Sequence, residues 1–433
     1  MKTGVLPVLP GTSLPLPASL ASLLAVFGPL FTAPSFRTFT ALACGFLAQT
    51  GKRTVCGMPA GAGLARAWPH DRAHGFFARA RWSADELGLA AAKLVVALLV
   101  PAGEPVTVAI DDTLARRRGK KVWAASWFHD GSAPGPAKTG YGNTWVIAAV
   151  VVRLPMISRP VAIPVLAKLV IKDTNSASRL WLARRMAELL AGALPGRRIR
   201  AVADCAYAGG GLKKLPAVVT WTTRLRKDAA LHGLPPARTG KRGRPRTRGD
   251  RLPALAKLAD AAAFAPVTVT RYGKTAVISA ATVTCLWPSV FGTRPVTVVL
   301  IRDRPTSGYD LAPVTTDTTA TAARVIERYA SRWAVEIRHL WCGSSRVVLS
   351  LLCSLSVAGL GPAGAAVKAC RACPALAEPL QFRGVRGDDP AFAGGGVPGG
   401  YPSAVDPVVD GCGGHAQGGG QAGDRPFAGC QAG

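Results

Sequence analysis

The chain of 433 residues carries 53 Lys and Arg against 24 Asp and Glu, a formal net charge of +29. An excess that large excludes an ordinary balanced surface and implies a polyanionic partner, for which nucleic acid is the default. The length holds two or three domains with a sizeable core, and no apolar run reads as a membrane span.

Residues 1–35 are rich in Pro and Leu and stay unassigned. Lys2 followed by the apolar run from Ala18 to Phe31 mimics a weak signal peptide, but Pro7, Pro10, Pro15 and Pro17 interrupt the approach. A buried helix is the preferred reading of that run. From residue 36 to about 103 the pattern is helical, with basic side chains between apolar ones. It suits a small helical DNA-binding domain, in which a helix-turn-helix is one option. Ser83 and Glu86 have capping-box spacing ahead of an apolar helix from Leu87 to Val100.

The next block, residues 104–340, alternates strand and helix. Val106–Ile110 reads as a short strand ending at Asp111 and Asp112. Trp145–Val152 and Val161–Leu169 are β-branched runs suited to paired strands, and Ser176–Leu194 is an amphipathic helix. Ile199–Ala203 is a buried strand ending at Asp204, and Val218–Thr223 is another. This order gives an α/β fold class with an RNase H-like sheet. Strand-like runs between Val267 and Ile301 form neither aspartate end, so residues of about 225–310 read as a β-rich insertion. Ahead of those strands, six Arg or Lys fall between Arg238 and Arg248. Lys241, Arg242, Arg244 and Arg246 with the intervening Gly and Pro look like an AT-hook, an extended Arg-Gly-Arg for a narrow A·T minor groove. A solvated loop touching phosphates is the alternative, and both readings point to DNA.

Thr318–Leu340 reads as one helix carrying Tyr329, Arg332 and Glu336. Offsets of three and four put these side chains on a single helical face. Two aspartates at strand ends and a later glutamate on a helix are the parts of a two-metal phosphoryl-transfer site. Taken singly, each aspartate is an ordinary turn residue, and Arg332 is an i, i+4 partner for Glu336. The joint pattern is what points to metal ligands.

The three segments resemble a DDE transposase of bacterial insertion sequences, in the group with a Tyr-x-x-Arg-x-x-x-Glu signature. Asp204 to Tyr207 is similar to that group's element around its second aspartate, and Ile110 to Thr113 to its first. The resemblance implies an RNase H-like catalytic domain that cuts and joins element ends with two Mg2+ or Mn2+ ions. It implies Asp112, Asp204 and Glu336 as metal ligands, with Asp111 the other choice for the first. Hard ions of that kind take carboxylate oxygens. Tyr329 and Arg332 would hold a DNA phosphate, Arg332 by its bidentate fork. Double-stranded DNA is the implied partner, a homodimer on DNA the implied assembly, and the bacterial cytoplasm, at the nucleoid, the implied place.

One departure stands out. The family pattern places a lysine seven residues after the glutamate, where this chain has Gly343. Beyond His339 the text also changes: residues 340–433 hold six basic and six acidic residues, six of the ten cysteines, and Gly-rich runs. The tail, residues 341–433, is read as low complexity, either genuine or the product of a frameshift near codon 338, which leaves a catalytically inactive remnant that binds DNA as the alternative function. Cys370, Cys373, Cys412 and His415 are too irregularly spaced to be read as a zinc site. The four earlier cysteines lack a pairing pattern and read as reduced thiols.

Overall fold

The apolar run after Pro17 forms helix α1 (Ala18–Ala25), as its preferred reading has it, but Leu24 is the one side chain of that helix to be buried. Helix α2 (Ala33–Ala48) starts where Thr32 accepts a bond from the Ser35 amide, with Pro34 in the first turn. Helices α3 (Gly57–Gly61), α4 (Asp71–Arg79) and α5 (Ala84–Leu99) follow. Leu24, Phe39, Leu42, Phe46, Met58 and Phe77 are among the buried side chains that form their common core. Helix α3 crosses α2 backbone to backbone, and a methyl group at Gly45 would overlap the Met58 carbonyl. The computed structural model describes residues 16–50, 54–119, 121–130, 133, 136–172, 174, 178–237, 244–303 and 308–335.

The capping spacing at Ser83 is realised: its Oγ accepts the Glu86 amide at 3.2 Å and starts α5. That helix faces two ways. Leu87 joins the helical core, whereas Ala92 and Val96 join the main core against the sheet. Gly88 lets α5 approach closely, because a methyl there would strike the Val165 carbonyl. Asp85 pairs with Lys168 at 2.6 Å on the same junction.

Ten strands form one sheet among the described residues. They are β1 (Val106–Arg116), β2 (Ser126–His129), β3 (Thr139–Val152), β4 (Val161–Leu169), β5 (Ile199–Val202) and β6 (Val219–Arg224). After these come β7 (Ala265–Arg271), β8 (Lys274–Leu286), β9 (Pro295–Arg302) and β10 (Pro313–Thr315). Their order is β2-β3-β1-β5-β6-β10-β9-β8-β7, with β4 also paired to β3. Strand β3 runs antiparallel to both β4 and β1, and β1, β5 and β6 are parallel. This mixed α/β sheet is consistent with an RNase H-like DDE fold. The segment His129–Gly140 forms a second compact unit. Within it Lys138 Nζ donates to the Ala133 carbonyl at 3.0 Å.

One expectation changes. Strand β1 does not end at the aspartates but runs on to Arg116, because the long β3 keeps offering backbone partners, Ile147 to Asp111 and Val146 to Asp112. The strands read as an insertion are hydrogen-bonded into the main sheet, since β10 pairs with both β6 and β9.

Helix α6 (Arg179–Ala193) buries Leu182, Met186 and Leu190 against Val108 and Ile110 of β1. The short helices α7 (Leu255–Asp260) and α8 (Pro288–Phe291) join the same core. Helix α9 (Ala322–Ala330) packs Val325 and Ile326 against Val269, Ile278 and Val299. It is shorter than the sequence pattern suggests. The Ser331 hydroxyl turns back to the Arg328 carbonyl at 2.7 Å, and a tight turn follows in which the Arg332 amide bonds the Tyr329 carbonyl. Helical backbone resumes over Trp333–Val335. Glu336 and the tail lie outside the described residues.

Candidate active site

Alternation along β1 separates its two aspartates. Val106, Val108 and Ile110 face the core shared with α5 and α6, and Asp112 continues that series. Ala109 lies with Ala149, Ala162, Ala334 and Val335, and Asp111 continues that one. Strand β5 runs beside β1 with Ala109 opposite Val202. Carrying this register forward two residues sets Asp111 beside Asp204. Asp111 on β1 and Asp204, just beyond the end of the parallel strand β5, thus fall on the sheet face that receives the chain after α9.

Contacts agree with that division. Asp111 Oδ2 lies 3.3 Å from Arg332 Nη1, both side chains largely buried. Asp112 Oδ1 accepts the Tyr207 hydroxyl at 2.9 Å, while its Oδ2 lies 3.3 Å from Arg179 Nη1 at the start of α6. Asp204 sits where β5 gives way to a short 3-10 turn, and its Oδ1 accepts the Ala206 amide at 2.8 Å. The Thr223 hydroxyl holds the Asp204 carbonyl at 2.6 Å and so fixes the end of the strand.

Two tyrosines line this centre. Tyr207 is fully buried, and burial first, then the charges of Asp112 and Asp111, push its phenol well above the ordinary tyrosine value. It therefore remains a hydrogen-bond donor at any physiological pH. Tyr329 is raised too, by burial, although the nearby Arg332 and Arg224 guanidiniums pull the other way. The Arg332 guanidinium lies 5.8 Å from the Tyr329 ring and 5.0 Å from the Trp333 ring. Tyr329 and Arg332 are thus brought together by a turn rather than by one unbroken helix, with Arg332 on Asp111 and the Tyr329 phenol within reach of the Asp204 charge.

Of the remaining sequence candidates, Arg244 and Arg246 lie among the described residues. Arg246 pairs with Asp250 at 2.7 Å on an exposed loop, and Arg244 is exposed beside it. Lys241 and Arg242 fall outside the described residues. Two residues that sequence reading did not single out are Arg179, which neutralises Asp112, and Tyr207 as a donor to it. The Tyr207 position was visible in the motif, but a partner 95 residues away in the chain was not.

A buried ion cluster stands on β5's far flank. Asp317 accepts Arg328 at 2.9 Å and lies 3.6 Å from Arg200. Burial raises the Asp317 carboxyl, but the Thr319 hydroxyl and the two guanidiniums outweigh it and hold the group below its ordinary value. This cluster ties α9 to the sheet, as does Glu327, which accepts the Thr270 amide at 2.8 Å.

Chemically, Asp111 and Asp204 offer only carboxylate oxygens, the donor set that suits a hard divalent cation. The arginines close to them suit phosphate oxygens. The family model described as DDE superfamily endonuclease matches residues 26–284. That span takes in Asp111, Asp112 and Asp204 and stops before Tyr329, Arg332 and Glu336. No curated protein matches the chain. The matched span exceeds half of the sequence, and the chain belongs to the DDE superfamily endonuclease family.

Proposed function

We propose that the chain is a transposase that cleaves phosphodiesters at the ends of an insertion sequence and joins them to target DNA, with Mg2+ or Mn2+ held by Asp111, Asp204 and Glu336. The observation that carries this reading is the register of β1 and β5, which sets Asp111 beside Asp204 on the face covered by Arg332. Asp112 belongs to the opposite series and is engaged by Tyr207 and Arg179, which favours Asp111 as the first ligand. Divalent ions bound there would stabilise the entering and leaving oxygens of an in-line displacement. The protein's own part is to fix the carboxylates through the sheet and to present Arg332 to a phosphate.

The charge of +29 supports a DNA substrate. A cleft lined by Arg153, Arg159, Arg271, Tyr272 and Trp333 flanks the turn that carries Arg332 and adds basic and aromatic surface beside the site. Among the described residues no helix is long and apolar enough to cross a membrane. A homodimer on double-stranded DNA, at the nucleoid in the bacterial cytoplasm, belongs to the same proposal, because joining two ends calls for two active sites.

The test is incubation of the full chain with element-end DNA and Mg2+, beside Asp204→Asn. Nicking by the chain and none by the variant supports the proposal. Binding without nicking by either protein instead identifies a remnant that only binds DNA. Cutting without end specificity or strand transfer identifies a nuclease outside transposition.

A further inference from the structure

Cys56, His70 and His74 stand together at the surface of the helical unit, far in sequence from the aspartates. Their candidate ligand atoms all lie within 4.8 Å of one another. Cys56 Sγ is 3.3 Å from His74 Nε2, and the two imidazole rings are 5.7 Å apart between centroids. His70 is the residue before α4 and His74 lies in its first turn, so the i, i+4 spacing brings both rings to one side.

Each half of the cluster is held by contacts that do not involve the three side chains. Cys56 lies between Val55 and Met58, both buried, which turn it outward. Gln49 clamps the same loop, its Oε1 accepting the Thr54 amide at 3.1 Å and its Nε2 donating to the Thr54 carbonyl at 3.3 Å. Helix α4 is anchored by Ala73, Phe76 and Phe77, all in the interior. Arg72 packs 4.0 Å over the Trp68 ring and fixes the approach to the helix.

We propose that Cys56, His70 and His74 bind a thiophilic transition-metal ion, with Zn2+ as the best match. One thiolate and two imidazoles suit zinc and reject magnesium, so this site is chemically separate from the carboxylates. Bonds of about 2.3 Å to sulfur and about 2.0 Å to nitrogen put neighbouring tetrahedral ligands roughly 3.5 Å apart. The Cys56–His74 separation already has that scale. Three protein ligands leave a fourth position for water. The bound ion would brace α4 against the segment that enters α3.

Cobalt is the probe, because a thiolate ligand gives Co2+ a charge-transfer absorption that nitrogen and oxygen ligands do not. Metal-free full-length chain titrated with Co2+ should develop that band at one equivalent and lose it on adding Zn2+. Cys56→Ser should abolish the band, and His70→Ala should weaken binding at least about tenfold, the factor that even outer-shell partners command. Cys56 and His70 are exposed, so neither substitution disturbs a core. Circular dichroism checks that the variants fold, and Zn2+ should raise the melting temperature of the parent chain but not of Cys56→Ser. A band that persists in Cys56→Ser places the metal at other cysteines, such as Cys370 and Cys373, and overturns the proposal. Absence of any band with the parent chain leaves a Cys–His hydrogen bond and overturns it equally.

Discussion

Arg332 Nη1 reaches to 3.3 Å from Asp111 Oδ2, joining the turn after α9 to the middle of β1 across 221 residues of sequence. Asp112, the next residue, has different company, Tyr207 and Arg179. The two neighbours should therefore respond differently to the same substitution. Asp111→Asn should reduce DNA nicking at least about a hundredfold, a loss that misplacement of about 1 Å alone can produce. Asp112→Asn should change the rate by less than about tenfold, the scale of a 1.4 kcal/mol perturbation. Single-turnover nicking assays at saturating Mg2+ measure both, and the reverse ranking would transfer the ligand role to Asp112.

Tyr207→Phe removes a buried donor to an ionised carboxylate while keeping the ring that fills the core. A bond of this kind contributes about 1.5–3 kcal/mol, so a fall in stability of that order is expected. Arg179 still faces Asp112, which limits the loss. Urea denaturation with an unchanged slope would read it out. A midpoint equal to the parent's would show that the hydroxyl contributes nothing.

Asp317 makes part of the stability depend on pH. Its carboxyl is held below the ordinary value in the folded chain, so its contribution is complete above the unfolded value of about 4 and is lost as pH falls through the folded one. Below about pH 4 the unfolded chain binds the extra proton, and stability rises with pH there. Asp317→Asn should flatten this acid limb. At neutral pH it should cost about 3 kcal/mol, because the buried Arg328 keeps its charge without a counter-ion. Thermal melts of both proteins from pH 3 to 7 decide the matter.

The exposed loop with Arg244 and Arg246 should act on affinity rather than on chemistry. Replacing both by Ala should lower the slope of log K against log salt by about 2 units, near one for each phosphate no longer neutralised. Fluorescence anisotropy with A·T-rich and G·C-rich duplexes also separates the two readings of this segment. An equal loss on both sequences supports phosphate binding, and a loss confined to A·T-rich DNA supports minor-groove insertion.

Resequencing from codon 320 onward addresses the tail. If a frameshift lies near codon 338, another frame should show a basic helix with lysine seven residues after Glu336, in place of Gly343. A confirmed single frame without that continuation would make the present tail genuine.

Much of the frame was legible from period and punctuation. The β-branched runs became β3 and β4, and the Ser83 cap starts α5 where its spacing indicated. Strand length was not legible at Asp111 and Asp112, because what prolongs β1 is the backbone of β3, and no local signal reports a distant strand's reach. How the strands of the β-rich segment join the sheet was hidden for a similar reason: β10, a three-residue strand too short to stand out, stitches β9 to β6. At the site, spacing brought Tyr329 and Arg332 together correctly. It missed the break at Ser331, where a side-chain bond competes with the helix ladder. The placing of Asp111 rather than Asp112 beside Asp204 needed the register of β1 on β5, which composition does not carry.

That stitch at β10 has a mechanical meaning. Because backbone hydrogen bonds run unbroken from β3 to β7, the outer strands form a stiff outrigger to the catalytic strands and not a separate module on a tether. A load applied at the β7–β8 hairpin, such as a duplex pressed against it, would be felt at Asp204 through four consecutive strand pairings, β8 to β9, β9 to β10, β10 to β6 and β6 to β5. Val314, buried in the middle of β10, is the point where one broken strand would uncouple the two halves.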